Sequence, residues 1–206
     1  MTPPRVVVFD LGKVLLDFDY DITVRRLEKQ CRASLAELQG LLGQTPLLFR
    51  YETNQLSTAE FFAEFQAASG FSGSLTEFRG HFADIFTEIK PMVQLHRDLR
   101  SRAIPTYIFS NTNEIAVELI RRTFPFFRDF DGYVLSYEHN AMKPDPRLYE
   151  VVEHVTGKQG SDILYIDDRP ENVTVGQERG WLAVLHQTPP ATRAAVIQAG
   201  LLPGPA

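Results

Sequence analysis

The run Val6-Val7-Val8-Phe9-Asp10-Leu11-Gly12 constrains the fold of this chain more than any other stretch. Three consecutive β-branched residues and a phenylalanine are stiff at χ1 and read as a buried strand. Asp10 follows at the strand's carboxyl end, where open α/β sheets place their ligands. An aspartate after a strand is also a common turn former, so this stretch alone leaves both roles open.

Four further apolar runs fall downstream: Pro105–Phe109, Gly132–Ser136, Asp162–Ile166 and Trp181–Leu185. Helical patterns separate them. Pro91–Arg102 carries Val93, Leu95, His96 and Leu99, a second segment runs through Arg122, a third from Pro146 to about Gly157, and a fourth from Pro170 to Gly180. Asp145 fits an N-cap with Pro146 in the first helical position. Strand and helix alternate with short connections, the pattern of a parallel sheet covered on both faces. The region between about 20 and 88 differs: it reads as all helix, with no strand. Three capping boxes punctuate it, Ser34/Glu37, Ser57/Glu60 and Ser74/Glu77. Apolar residues follow each at helical spacing: Leu38, Leu41 and Leu42; Phe61, Phe62 and Phe65; Phe78, Phe82, Ile85 and Phe86. Gly70 stands where a helix C-cap would. The expected architecture is α/β, a Rossmann-like parallel five-stranded sheet core with an inserted all-helical cap. Residues 1–17 and 89–206 form the core and 18–88 the cap. The proline-bearing tail carries no assigned element.

Composition narrows the partners. The 206 residues suffice for a sizeable core, and the net charge of −5 argues against a nucleic-acid face, which needs a basic stripe. No apolar run is long enough to span a bilayer, and Met1–Arg5 lacks a signal-peptide pattern. The single cysteine, Cys31, cannot form an internal disulfide and fits a reducing cytoplasm. The expected partner is a small phosphorylated metabolite, with no nucleic acid and no membrane. The histidines show no metal-ligand spacing.

Three strand ends carry polar signatures: Asp10, Ser110-Asn111 and Asp167-Asp168. Lys143 precedes the helix between the third and fourth strands. In a parallel sheet these ends share one edge, so the residues can converge. Three carboxylates in one place raise each other's pKa. A divalent cation removes that conflict, and hard oxygen ligands suit Mg²⁺. With a lysine, a hydroxyl and backbone N–H groups this is equipment for phosphoryl transfer, in which an aspartate can act as nucleophile.

The segments Phe9-Asp10-Leu11-Gly12-Lys13-Val14-Leu15, Phe109-Ser110-Asn111-Thr112-Asn113, Lys143-Pro144-Asp145-Pro146 and Ile166-Asp167-Asp168-Arg169-Pro170-Glu171-Asn172, in that order, resemble the haloacid dehalogenase superfamily of hydrolases, in the branch with a helical cap after the first motif. The resemblance implies Asp10 as nucleophile. It implies Mg²⁺ held by Asp10, the Gly12 carbonyl and Asp168, with Asp167 supporting directly or through water. Ser110 then binds phosphoryl oxygens, Asn111 lies beside them, and Lys143 neutralises nucleophile and phosphate. Asp167 has a bland alternative as a cap of the Pro170 helix. Arg50 and Glu52 of the cap are candidates to select substrate, against ordinary surface charge.

One position departs. Phosphatases of the superfamily usually carry a second aspartate two residues after the nucleophile, as general acid and base. Here it is Gly12. The wording Asp-Leu-Gly-x-Val-Leu resembles a sugar-phosphate phosphatase subgroup, including glucose-1-phosphate phosphatases, that also has glycine there, as does the stretch Arg50–Ser57. Asp17 and Asp19 are nearby replacements for the acid, or a solvated hinge. Ala141, where the family often has glycine, is a minor change. The expected function is a Mg²⁺-dependent phosphatase acting on a small phosphorylated metabolite, a sugar phosphate favoured, through an aspartyl-phosphate. The rivals are a metal-independent haloacid dehalogenase and a catalytically silent binding or regulatory protein of the same fold.

Overall fold

A computed structural model of the chain describes residues 2–43, 45–83 and 85–204; the side chains at 82 and 83 lie outside the description, and with them the helical contact expected of Phe82. The five expected strands are β1 (Val6–Phe9), β4 (Thr106–Ser110), β5 (Gly132–Leu135), β6 (Ile163–Asp167) and β7 (Leu182–Leu185). They form one sheet in the order β5-β4-β1-β6-β7, every pairing parallel. β1 is central, with Val8 opposite both Tyr107 and Tyr165. Side chains alternate across a strand, and both faces of β1 are buried. Val7 and Phe9 join a cluster with Met92, Leu95, Val117 and Ile120 from α6 (Lys90–Arg100) and α7 (Glu114–Thr123). Val6 and Val8 join another with Leu148, Tyr149 and Trp181, against α8 (Pro146–Thr156) and α9 (Pro170–Glu178). The chain moves outward from β1 through β4 to β5 and returns to β1's other side at β6. That reversal opens a crevice at the strands' carboxyl ends.

Residues 20–83 form α1 (Tyr20–Glu28), α2 (Leu35–Leu42), α3 (Pro46–Glu52), α4 (Thr58–Ser69) and α5 (Leu75–Ala83). All three capping boxes are formed, with Ser34, Ser57 and Ser74 N–H groups donating to Glu37, Glu60 and Glu77 at 2.7–2.8 Å. Gly70 closes α4 at φ 68°, a left-handed conformation suited to glycine. These helices bury their own cluster around Leu27, Leu38, Tyr51, Phe61, Phe65 and Phe78, to which α7 contributes Ile115. Tyr51 stacks on Phe61 with ring centroids 4.3 Å apart. Cys31 is half-buried beside this cluster.

Three sequence expectations need correction. The helical region is not free of strand: β2 (Leu16–Phe18) and β3 (Phe86–Glu88) pair antiparallel, Phe18 opposite Phe86, and form the stem through which the chain leaves and re-enters the sheet layer. Phe86 is therefore a strand residue, its ring meeting Phe18 edge-on at 6.3 Å. The tail holds α10 (Pro189–Gln198), which opens on two prolines and is capped by the Thr188 side chain. No helix among the described residues is long and apolar enough to cross a membrane.

Candidate active site

Asp10 is the first residue past β1, and its N–H donates to the Ile166 carbonyl of β6 at 2.8 Å, which fixes the backbone where its carboxyl leaves the sheet. Lys143 reaches the same point from the loop before α8. Its ammonium is buried, 2.9 Å from Asp10 Oδ1 and 2.6 Å from Asp167 Oδ2, and donates its third bond to the Phe109 carbonyl at 2.8 Å. Three donors thus meet three acceptors, as a buried ammonium requires. Asn111 holds the lysine loop from β4: its side-chain carbonyl accepts the Lys143 N–H at 2.7 Å and its amide donates to the Lys143 carbonyl at 3.0 Å. These two bonds make Asn111 a clamp on Lys143, and it also lines the cavity, with one amide hydrogen left over.

The two adjacent acids diverge. Asp167, the last residue of β6, is fully buried and saturated. It accepts from Lys143, from the Tyr165 hydroxyl, from Arg169 N–H at 2.8 Å and from Asn172 Nδ2 at 3.0 and 3.2 Å. Burial pushes its carboxyl up, but Lys143 and the other donors outweigh this and hold it below the usual carboxylate range. Asp168 is half-buried and lines the open cavity, its carboxyl raised by burial and by Asp167. Burial is also the main cause that pushes Asp10 up, to about 7; Lys143 opposes it and Asp167 adds to it. In Lys143, burial lowers the pKa but the two aspartates more than compensate.

Oxygen atoms of Asp10, Asp167 and Asp168 lie within 4.8 Å of one another. At that spacing the Asp10 and Asp168 carboxylates repel each other, and a cation between them would relieve the repulsion. Asn172 Oδ1, beside them, is buried with no partner among the described groups. It is an acceptor suited to a water held by such a cation. The donor set therefore fits a small hard cation, with Asp10 and Asp168 offering free oxygens and Asp167 supporting from behind.

Above these residues a cavity of about 1310 Å³ lies between the sheet edge and the helical region. Asp10, Gly12, Ser110, Asn111, Lys143 and Asp168 line its floor. Tyr20, Leu48, Phe49 and Glu52 line it from the helices, and Phe18 and Phe86 from the stem. Arg50 is not brought to the site. Its guanidinium forks onto Glu64 at 2.7 and 3.0 Å, away from the cavity.

A model of the haloacid dehalogenase-like hydrolases matches residues 4–180. The chain belongs to that family. Among curated relatives, a D-ribitol-5-phosphate phosphatase of Bacteroides thetaiotaomicron is 25% identical over 189 residues, covering 85% of this chain and 88% of that one. A sesquiterpene phosphatase of Aspergillus oryzae is 23% identical over 187 residues, covering 89% and 90%. A family enzyme from Bacteroides thetaiotaomicron, solved with magnesium and inorganic phosphate, shares the fold at a TM-score of 0.78 and 24% identity, over 89% of this chain and 94% of that one.

Sequence reasoning missed Tyr165 and Asn172 as supports of Asp167, and it missed Phe18. A Cβ on Gly12 would stand 2.8 Å from the Phe18 ring. The space for a side chain at position 12 is already filled.

Proposed function

We propose that the chain is a Mg²⁺-dependent phosphatase working through an aspartyl-phosphate on Asp10, with residues 18–88 as a cap over a core of 1–17 and 89–206. The observation that carries this is the Lys143 ammonium, 2.9 Å from Asp10 at the floor of a cavity that Ser110 and Asp168 also line. Asp10, the Gly12 carbonyl and Asp168 would hold the ion, which supplies charge neutralisation for the transferring phosphoryl group. Lys143 opposes the burial that raises the Asp10 carboxyl and places its positive charge beside the transferring phosphoryl group. The Ser110 hydroxyl binds a phosphoryl oxygen. Asp167 holds Lys143 in register. The cap excludes bulk water.

The retained acidic set argues against the metal-independent dehalogenase, which has no need of it. For the leaving group a sugar or polyol phosphate is supported by the ribitol-phosphate relative and by the resemblance of the first motif. A second class, esters with an apolar leaving group, is favoured by the wall of Phe18, Tyr20, Leu48, Phe49 and Phe86, and by the sesquiterpene phosphatase relative. We assign the chain to the cytoplasm on its single cysteine.

The test is phosphate release from a panel of sugar, polyol, aryl and isoprenoid phosphates, with and without Mg²⁺, by wild type and Asp10→Asn. Mg²⁺-dependent release, lost by at least about 10³-fold in the variant, is expected. Folded, metal-loaded protein that turns over none of the esters contradicts the reading.

A further inference from the structure

Phosphate-ester cleavage leaves an alkoxide that needs a proton, and the attacking water must lose one. Position 12 supplies neither, and the Phe18 ring closes the space above it. The replacements nearest in sequence are occupied. Asp17 is tied to Lys13, whose ammonium and the Phe18 N–H hold its carboxyl below the usual range. Asp19 accepts from Asp21 N–H as the cap of α1.

Among the described residues, four carboxylates line the cavity: Asp10, Glu52, Asp145 and Asp168. Asp10 and Asp168 belong to the nucleophile and cation set. Asp145 caps α8 and is paired with Arg147 at 2.6 Å. Glu52 is left. It is the last residue of α3, and its carboxyl lines the cavity near the Asn113 side chain, which pulls its pKa down. Asn113 is three positions beyond Ser110 and caps α7, its Oδ1 accepting the Ala116 N–H at 3.0 Å, which leaves its amide free to donate to Glu52. The cap carboxyl thus shares the cavity wall with the loop that carries Ser110. The joint is reinforced next door, where the Tyr51 hydroxyl lies 2.7 Å from Thr58 Oγ1 and Thr58 hydrogen-bonds Glu114 of α7.

We propose that Glu52, delivered by the cap, performs the proton transfers that position 12 cannot: it protonates the leaving oxygen and then deprotonates the attacking water. This rests on the phosphatase reading above. In the first step Asp10 forms a bond to phosphorus, the ester P–O bond breaks with its electron pair on the leaving oxygen, and that oxygen takes the Glu52 proton. In the second, water attacks the phosphorus and gives its proton to the Glu52 carboxylate, and the bond to Asp10 breaks to release phosphate. Glu52 ends protonated and Asp10 anionic, as they began. Burial supports the role by pushing the Glu52 carboxyl up to about 7, against the pull of the Asn113 amide; a group poised near the working pH transfers protons in either direction. The titratable group facing it is the Tyr20 phenol of α1, itself raised by burial and by Glu52.

The test compares wild type with Glu52→Gln on 4-nitrophenyl, phenyl and 4-methoxyphenyl phosphates in Mg²⁺, resolving the burst of phenol from steady turnover. An activated leaving group needs no acid. Glu52→Gln should keep its 4-nitrophenol burst within about tenfold, lose the phenyl and 4-methoxyphenyl reactions by on the order of 10²–10³-fold, and stall as phosphoenzyme because water activation is lost. An equal loss of the burst rate across the three esters, or no loss in either burst or steady turnover, overturns the proposal and leaves Glu52 as a cap residue, with the phosphatase reading intact. Wild type inert on all three overturns the phosphatase reading and this proposal with it. If Glu52→Gln does not fold, Glu52→Asp, which retracts the carboxyl, is put through the same comparison.

Discussion

Glu52 binds its proton more tightly in the folded chain than in the unfolded one, its carboxyl moving from 4.5 up to about 7 through burial. Between those values the native state holds the extra proton, so stability falls as pH rises from about 5 to about 7 and then levels. At about 1.4 kcal/mol per pH unit the penalty is bounded near 3 kcal/mol, less the screening by water in the cavity. Glu52→Gln removes the titration. By urea unfolding it should match wild type near pH 5 and be more stable by roughly 1–3 kcal/mol at pH 8. Equal destabilisation at both pH values would mean that Glu52 is a structural strut. The sequence marked this residue as a candidate to select substrate, against ordinary surface charge; its burial was not legible, because it depends on how α3 packs in the folded chain. Asp10, Ser110, Lys143 and Asp168 were legible for the opposite reason: a parallel sheet brings its strand ends to one edge whatever the rest of the chain does. The difference between Asp167 and Asp168 was not legible. It comes from Tyr165 and Asn172, which saturate one carboxylate and leave the other facing the cavity. Arg50 failed as a substrate contact because Glu64, one helix away, claims it.

At the scale of elements, local signals that carry their own hydrogen bonds were reliable. The boxes at Ser34, Ser57 and Ser74 form as expected because both partners lie within one turn. Ser57→Ala should destabilise by about 0.5–2 kcal/mol, read as a lower urea midpoint at unchanged slope; no change would mean that packing alone sets the start of α4. Elements resting on distant partners were missed. β2 and β3 are three residues each, and neither is a strand without the other across the whole helical block. The proline-bearing tail was assigned no element, whereas Pro189 and Pro190 occupy the first helical turn, where a missing N–H costs nothing. The β2–β3 stem has a chemical consequence as well. It sets Phe18 against Gly12 and ties Lys13 to Asp17 and the Phe18 carbonyl, so the loop after Asp10 is shaped by the stem.

At the scale of the molecule, the sheet supplies Asp10, Lys143 and the acidic set, while the helical region supplies the roof and a carboxyl of its own. The parallel sheet and the insertion were legible because alternation and capping are local patterns. The strand order and the cavity were not, since both depend on how separate segments pack. The account turns on Asp10 as a nucleophile that becomes covalently phosphorylated. The most direct measurement is the mass of the peptide containing Asp10, after acid quenching during turnover of an ester that the protein hydrolyses. The account predicts one added phosphoryl group on that peptide, formed only with Mg²⁺ present, enriched in Glu52→Gln and absent in Asp10→Asn. Turnover with no such adduct, in Glu52→Gln as in wild type, would contradict it.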